Sequence, residues 1–378
     1  MNALNASMNI THVVENLNRG GLERVVIDLV MLQHQQGHRC QVVCLFQRGS
    51  LAPELDAAGI PVHACDKGRG IDFGALARVR RLIRDHRTEV LHSHNAVAHY
   101  LAVLASVGLD VGKVVNTRHG MGGMQRWNRA EMLYRASLAR TDAVAMVCEA
   151  ACDGALEHRL VPRDKLRVVP NGLRVQEFTV ASPAARERLR ASLGLPPQTR
   201  LVGTVGRLNW AKDQANLIRA FRRVHEQLPD TALVLIGDGG LRGELEACAR
   251  DEGVAAAVRF LGDRSDVRDL LQGLDVFVLS SVSEGYSMAL LEASATALPI
   301  VATDVGGNRE IVRDGSTGSM VPARDVDALA QAILLLLREP ARAARYGTAA
   351  RAMMEASGSL EAMAVRYAAL YEARRSAA

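Results

Sequence analysis

The stretch DVFVLSSVSEGYSMALLEASATALPIVAT, residues 275–303, holds a complete unit of fold. DVFVLS (275–280) is a short run of β-branched, aromatic and aliphatic residues that reads as a strand, and PIVAT (299–303) reads as another. Between them a loop ends at Gly285 and an apolar helical pattern follows. Two neighbouring strands joined through a helix are expected to run parallel, because parallel neighbours need a crossover longer than a hairpin. A parallel sheet covered by helices is the expected result.

Working outward, the same alternation precedes this unit at LVGTV (201–205), ALVLIG (232–237) and VRFLG (258–262). It also fills the first half, with strands expected at ITHVV (10–14), QVVCLF (41–46), VLHSH (90–94), KVVNT (113–117) and DAVAMV (142–147). A glycine loop leads from the first strand into a helix with Leu22, Val25, Val26, Leu29 and Val30 on one face, and the basic stretch Ala75 to Arg87 reads as a second helix. A chain of 378 residues suits two domains of about 150–200 residues each. PNGLRVQEFTVASPA (170–184) lacks periodic pattern and carries Pro and Gly, which places the junction near residue 180. The expected fold class is α/β, with doubly wound Rossmann-like domains at 1–180 and 181–358. The tail, 359–378, reads as an amphipathic helix that could pack back on the N-terminal domain.

With 48% hydrophobic and 23% charged residues the composition is globular, and no apolar run approaches the roughly 18 residues of a membrane span. MNALNASMNITHVV lacks a basic segment followed by an apolar one, so a cytoplasmic protein is expected. The six cysteines show no C-x-x-C pairing and read as reduced, packed thiols, Cys148 and Cys152 included. The net charge of +5 lies entirely in the first 180 residues, the remainder being balanced. Such a basic half could attract a phosphorylated substrate or anionic lipid. Nucleic acid is not an expected partner, because only 4% of residues are aromatic and no recognition module is visible.

Open parallel sheets bind ligands beyond the carboxyl ends of their strands, so the loops after strands carry the candidates. Gly20 and Gly21 lie between the first strand and its helix, where bare backbone and a helix N-terminus favour an anion such as a diphosphate; a plain tight turn is the alternative. In VGRLNWAKD (205–213) a strand delivers Arg207 and Lys212 to the mouth of a helix, a placement suited to phosphate oxygens or, alternatively, to two solvated charges. In SSVSEGYSMALLEASATALPIVAT a helix opening after Gly285 would point the amides of Tyr286, Ser287, Met288 and Ala289 at a phosphate. Glu292, on that helix, could accept from ribose hydroxyls, and Glu284, before it, could reach a sugar. NTRHGMGG (116–123) places His119 on a glycine loop, as a contact to sugar or acceptor or as a structural histidine. His92 and His94 share one strand face; His94, at the strand end, suits a site and His92 a core.

At these residues the chain resembles the family 4 retaining glycosyltransferases, which have the GT-B fold of two facing Rossmann-like domains with a central cleft. The likeness runs through Gly20-Gly21, VVPNGL (168–173), GRLNWAKD, IGDGG (236–240), RFLGDRSDV (259–267), the spacing of Glu284 and Glu292, and ATDVGGNREIV (302–312). It implies that Arg207 and Lys212 hold a donor diphosphate, Glu292 the ribose and Glu284 the transferred sugar. It further implies His119 near the anomeric centre, the backbone about Asp263 and Arg264 beside the base, and Gly20 and Gly21 on the diphosphate. Members of the family need no metal and no cofactor; the nucleotide-diphosphate sugar is their substrate. Asp325-Val326-Asp327, the one metal-like string, is expected to cap a helix.

THVVENLNRGGLERVVIDLV and CLFQRGSLAPELDAAGIPVHACDK are similar to a subgroup associated with bacterial exopolysaccharide loci. That resemblance implies a UDP- or GDP-sugar donor and a glycan or lipid-linked acceptor met at the inner face of the membrane. Arg78, Arg80, Arg81, Arg84 and Arg87 could present charge to anionic headgroups, or form an ordinary solvated helix face. Two rival functions share the architecture: a nucleotide-sugar epimerase, and a non-catalytic nucleotide-sugar-binding subunit.

Overall fold

The computed structural model describes residues 7–70, 72–120 and 129–372. The chain divides into two compact units, one reaching Gly172 and reclaiming the chain from Leu360, the other spanning Leu173–Ser359.

Among the described residues the first unit holds seven strands: β1 (Asn9–Val14), β2 (Arg39–Cys44), β3 (Val62–Ala64), β4 (Val90–His94), β5 (Lys113–Arg118), β6 (Ala143–Met146) and β7 (Leu166–Val168). Their spatial order is β3-β2-β1-β4-β5-β6-β7, and every pairing is parallel. The strands are buried almost throughout, as expected where helices cover both faces. Helix Phe73–Asp85 shows how the covering works: Asp72 caps it by accepting from the Ala75 amide at 2.8 Å. It then buries Ala75, Val79 and Ile83 at helical spacing against β-strand residues such as Val43 and Leu91.

The second unit repeats the design with β8 (Arg200–Val205), β9 (Thr231–Ile236), β10 (Val258–Gly262), β11 (Val276–Leu279), β12 (Ile300–Thr303) and β13 (Ser319–Val321). Their order is β10-β9-β8-β11-β12-β13, again all parallel. Its core has two faces, one built around Phe221 and Leu334 and the other around Phe277 and Leu290.

One boundary differs from the sequence reading. The division between units falls after residue 172 rather than near 180, because Leu173, Val175 and Phe178 are buried in the second unit's core and the Leu173 amide donates to the Gly358 carbonyl. The tail helix begins at Leu360 and belongs to the first unit, where the Tyr367 hydroxyl meets Thr117 Oγ1 at 2.9 Å. Asp325 accepts from the Ala328 amide at 2.9 Å, so the metal-like string is a helix cap. Among the described residues no helix is long and apolar enough to cross a membrane, and none of the six cysteines is in a disulfide.

Candidate active site

In the second unit the chain reverses its winding between β8 and β11, the neighbouring strands from which the order runs outward both ways. That switch point is where open α/β sheets bind ligands, because the loops beyond the two strands diverge there. The loop after β8 carries Arg207 and Lys212, and the loop after β11 carries Glu284.

The two loops are tied by backbone. Val282 N donates to Ala211 O at 2.8 Å, and the Ser280 hydroxyl donates to Lys212 O at 2.9 Å. Lys212 therefore enters the site on a fixed root. Its ammonium donates to Glu284 Oε1 at 2.5 Å, and Ser281 Oγ donates to the same oxygen at 2.6 Å. Lys212 packs its stem beside Gly206. Arg207 is different: its side chain is exposed and no described carboxylate pairs with it, while its carbonyl is held by the Gln214 side chain at 3.0 Å. The unit thus offers one free guanidinium and one half-buried ammonium at the same strand end.

Two glycines make this packing feasible. Gly306 has φ +51°, and a Cβ there would overlap the carbonyl oxygen of Glu284; Gly307 N donates to Gly285 O at 2.9 Å beside it. Gly237, at φ +134°, likewise lies against the Gly206 carbonyl. The sequence reading missed Ser281 and Gly306. The adjacent glycines of DVGGN were its only sign of a close backbone approach, and they were given no role.

The helix expected to open after Gly285 starts at Met288 and runs to Ala295, with Ser287 as its cap accepting from Leu290 N at 3.4 Å. Ser287 and Ala289 are buried, and Met288 and Glu292 half-buried one turn apart. Asp263 and Arg264 follow β10 on the surface, where the Arg264 guanidinium grips both carboxylate oxygens of Asp266 at 2.7 and 2.6 Å. The Arg264 charge is thus engaged within its own turn.

In the first unit the reversal lies between β1 and β4. Helix Gly21–Gln35 begins after β1 with Gly20 as an extended cap that makes no side-chain bond, and the Glu23 carboxylate folds over Gly20. His94 ends β4 and His119 follows β5; His94 Nδ1 and His119 Nε2 lie 3.0 Å apart. Burial pushes the His119 imidazole down to about 3, so it is neutral at physiological pH. The rest of the expected glycine loop, from residue 121, lies outside the described residues. His92, expected in the core, is fully buried between the Tyr371 and Thr117 hydroxyls at 2.8 Å each, and His94 is buried as well.

Two family patterns cover most of the chain: "Glycosyltransferase Family 4" matches residues 19–177 and "Glycosyl transferases group 1" matches residues 185–353. A GDP-mannose-dependent alpha-(1-6)-phosphatidylinositol monomannoside mannosyltransferase of Mycolicibacterium smegmatis is 32% identical over 313 residues, covering 80% of this chain and 81% of its own. The chain is a family 4 glycosyltransferase. This glycosyltransferase is also 29% identical to the putative glycosyltransferase EpsD of Bacillus subtilis over 287 residues, 74% of this chain and 75% of that protein. Among solved structures, Anabaena Alr3699/HepE in complex with UDP superposes with a TM-score of 0.84 at 21% identity, covering 96% of this chain and 98% of that one. The architecture is therefore that of GT-B glycosyltransferases, and the epimerase and non-catalytic readings give way to sugar transfer.

Proposed function

We propose that this glycosyltransferase moves a hexosyl group from a UDP- or GDP-sugar to a glycan or lipid-linked acceptor, with retention, in the building of bacterial surface polysaccharide. The observation that carries the reading is the pair of cations at the β8–β11 switch point, Arg207 unpaired and Lys212 seated on Glu284. A diphosphate leaving group gains negative charge as its bond to the sugar breaks, and fixed cations there stabilise the transition state more than the ground state. Both nucleotides are retained as donors because the mycobacterial relative is named for GDP-mannose and the Anabaena structure holds UDP. The phosphatidylinositol mannoside in that relative's name supports a lipid-linked acceptor.

In this reading Arg207 and Lys212 bind the diphosphate, helped by the amides of Ser287, Met288 and Ala289, and Glu292 takes the ribose hydroxyls. Glu284 holds the transferred sugar, and the turn at Asp263 and Arg264 borders the base. His119 is proposed to contact the sugar, and Gly20 and Gly21 the diphosphate. Glu284 is engaged through Oε1 with Lys212 and Ser281, which suits a binding role better than that of a nucleophile. The acceptor hydroxyl oxygen would then bond the anomeric carbon on the face that the diphosphate leaves, its proton passing to the departing phosphate oxygen. The enzyme would work in the cytoplasm, at or near the inner membrane face.

A panel of UDP- and GDP-sugars tested for protection against thermal unfolding identifies the donor, since ligand at one hundred times its dissociation constant adds about 2.7 kcal/mol. One nucleotide series is expected to protect and the other not. Absence of protection by every member would defeat the reading, and an inverted anomeric signal in the product would defeat retention.

A further inference from the structure

His12, His94 and His119 form a line of rings in the first unit, joined nitrogen to nitrogen. The parallel register sets His12 of β1 beside His92 of β4, and His94 lies two residues on, on the same face. His12 Nδ1 is 3.1 Å from His94 Nε2, and His94 Nδ1 is 3.0 Å from His119 Nε2. At the inner end, His12 Nε2 meets Gln33 Oε1 at 2.8 Å, and the Gln33 amide is itself held by donating to the Tyr371 hydroxyl at 3.1 Å. At the outer end, His119 Nδ1 is shielded and has no partner among the described residues. The root of that ring is fixed, because His119 N donates to Asn95 Oδ1 at 3.2 Å.

A neutral imidazole has one N–H and one lone pair, so a choice made at one end of such a line passes to the other. An amide oxygen only accepts. His12 must therefore carry its proton on Nε2 and offer Nδ1 as a lone pair. His94 must donate to it from Nε2, and His119 must in turn donate from Nε2 to His94. The Nδ1 of His119 is left as a bare acceptor. Burial keeps these rings neutral, with His12 pushed down to about 4 and His94 well below its ordinary range. Nitrogens of His12, His92 and His94 also lie within 4.8 Å of one another, a spacing a metal could use. Each nitrogen of these three rings already has a protein partner, since His92 is bonded to Tyr371 and Thr117, so the hydrogen-bonded line accounts for the whole cluster.

We propose that Gln33, His12 and His94 are positioning residues that lock His119 in its Nε2–H tautomer and present its Nδ1 lone pair as a ready acceptor for a substrate hydroxyl. The identity of that hydroxyl rests on the sugar-transfer reading; the tautomer does not. A ring held this way has no tautomeric choice to make when substrate arrives, which is preorganisation supplied from residues that never touch the ligand.

The experiment is long-range proton–nitrogen NMR on the full chain labelled with ¹⁵N-histidine, with each ring assigned by substitution. At neutral pH His12, His94 and His119 are expected to carry their protons on Nε2. Gln33→Leu removes the anchoring carbonyl, and Tyr371→Phe removes the hydroxyl that holds the Gln33 amide. Both are expected to give mixed tautomers at His119 and to lower kcat for transfer about tenfold with little change in donor KM. Tyr371→Phe deletes one oxygen and serves as the reporter should Gln33→Leu fold poorly. An Nδ1–H proton on His119 in the parent would overturn the proposal, as would a single unchanged tautomer in a folded Tyr371→Phe protein. Mixed tautomers with unchanged kcat would overturn the positioning role. The spectra decide the relay whether or not the parent transfers sugar, which separates its failure from failure of the functional reading.

Discussion

Lys212 Nζ and Glu284 Oε1 are 2.5 Å apart, in a pair whose side chains are about 20% and 10% exposed. Two residues proposed to bind adjoining parts of the donor, the diphosphate and the transferred sugar, thus hold each other before any ligand binds. The pairing keeps a cation beside the proposed diphosphate position without leaving it as an isolated, partly desolvated charge.

Removing either member should therefore have different consequences. Lys212→Ala is expected to lower turnover about 100-fold and to weaken nucleoside diphosphate binding, because it deletes charge from the leaving-group site. Arg207→Ala is expected to lower turnover by a similar factor with no loss of stability, its guanidinium having no described carboxylate partner. Glu284→Gln should slow transfer but leave nucleoside diphosphate binding intact, since Lys212 is then unshared. Calorimetric titration with UDP and GDP beside steady-state rates checks all three, and near-parental rates for both Lys212→Ala and Arg207→Ala would refute the diphosphate assignment.

Gly306 offers a test from a residue that makes no side-chain contact at all. Its φ of +51° and its closeness to the Glu284 carbonyl mean that alanine must push the Glu284 loop away. Gly306→Ala is expected to cost transfer activity at least as severely as Glu284→Gln, with the thermal midpoint also lowered. Gly315→Ala is the control: φ there is +70°, yet nothing lies within 4 Å of its added methyl, so strain without displacement should spare activity.

These two glycines also mark what the sequence could not disclose. Most of the long buried strands were legible because they are rich in β-branched and aliphatic residues, as in ALVLIG. β3, β7 and β13 were missed because three residues carry no period. Arg207, Lys212 and Glu284 were legible as polar residues at strand ends. Ser281 was not, since its hydroxyl matters only once the chain brings Glu284 back upon it. The histidine line was hidden more deeply, because Gln33 and Tyr371 meet across 338 positions of chain and no local pattern joins them.

Arg207 and Lys212 would supply the positive charge at the proposed diphosphate position, so transfer is expected to persist after exhaustive chelation. Rates measured in EDTA should match those with added magnesium or manganese. Activity that disappears with chelator and returns only with metal would contradict this.

The buried histidines give the first unit a definite acid response. His12 is pushed down to about 4, and His99 and His119 to about 3, in each case by burial. Unfolded, these rings take up protons near pH 6.5, so below that pH the unfolded chain binds more protons than the native one. Stability is therefore fully present above pH 6.5 and lost as pH falls toward 4, with His12 alone contributing about 3 kcal/mol over that span. Thermal midpoints are expected to fall from pH 7 to pH 5, a range that lies above most carboxylate titrations. A flat profile there would mean that these rings already carry charge in the fold.

Two arginines of the helix Phe73–Asp85 are tied to backbone carbonyls, which fixes their side chains without neutralising their charge. Arg78 donates to the Cys65 carbonyl at 2.9 and 2.5 Å, and Arg80 donates to the carbonyls of Ala105 and Val107 at 3.0 and 2.5 Å. Arg84 is paired with Asp85 on the surface, a contact too exposed to neutralise it fully, and Arg81 is exposed. Close to Arg80, at the end of helix Asn95–Ser106, Leu104 and Val107 are 54% and 46% exposed. Basic and apolar groups side by side are what an anionic membrane surface binds. Arg81→Gln with Arg84→Gln is expected to weaken sedimentation with phosphatidylserine vesicles by about 2 kcal/mol, roughly 30-fold, while sparing transfer to a short soluble acceptor. Leu104→Ser should weaken it further, and raised salt should abolish the arginine contribution by screening. Arg80→Gln is the informative contrast, since losing two backbone contacts should lower the thermal midpoint as well. Equal vesicle binding by the parent, the double arginine variant and Leu104→Ser would exclude this face as the membrane contact and leave the transferase assignment as it stands.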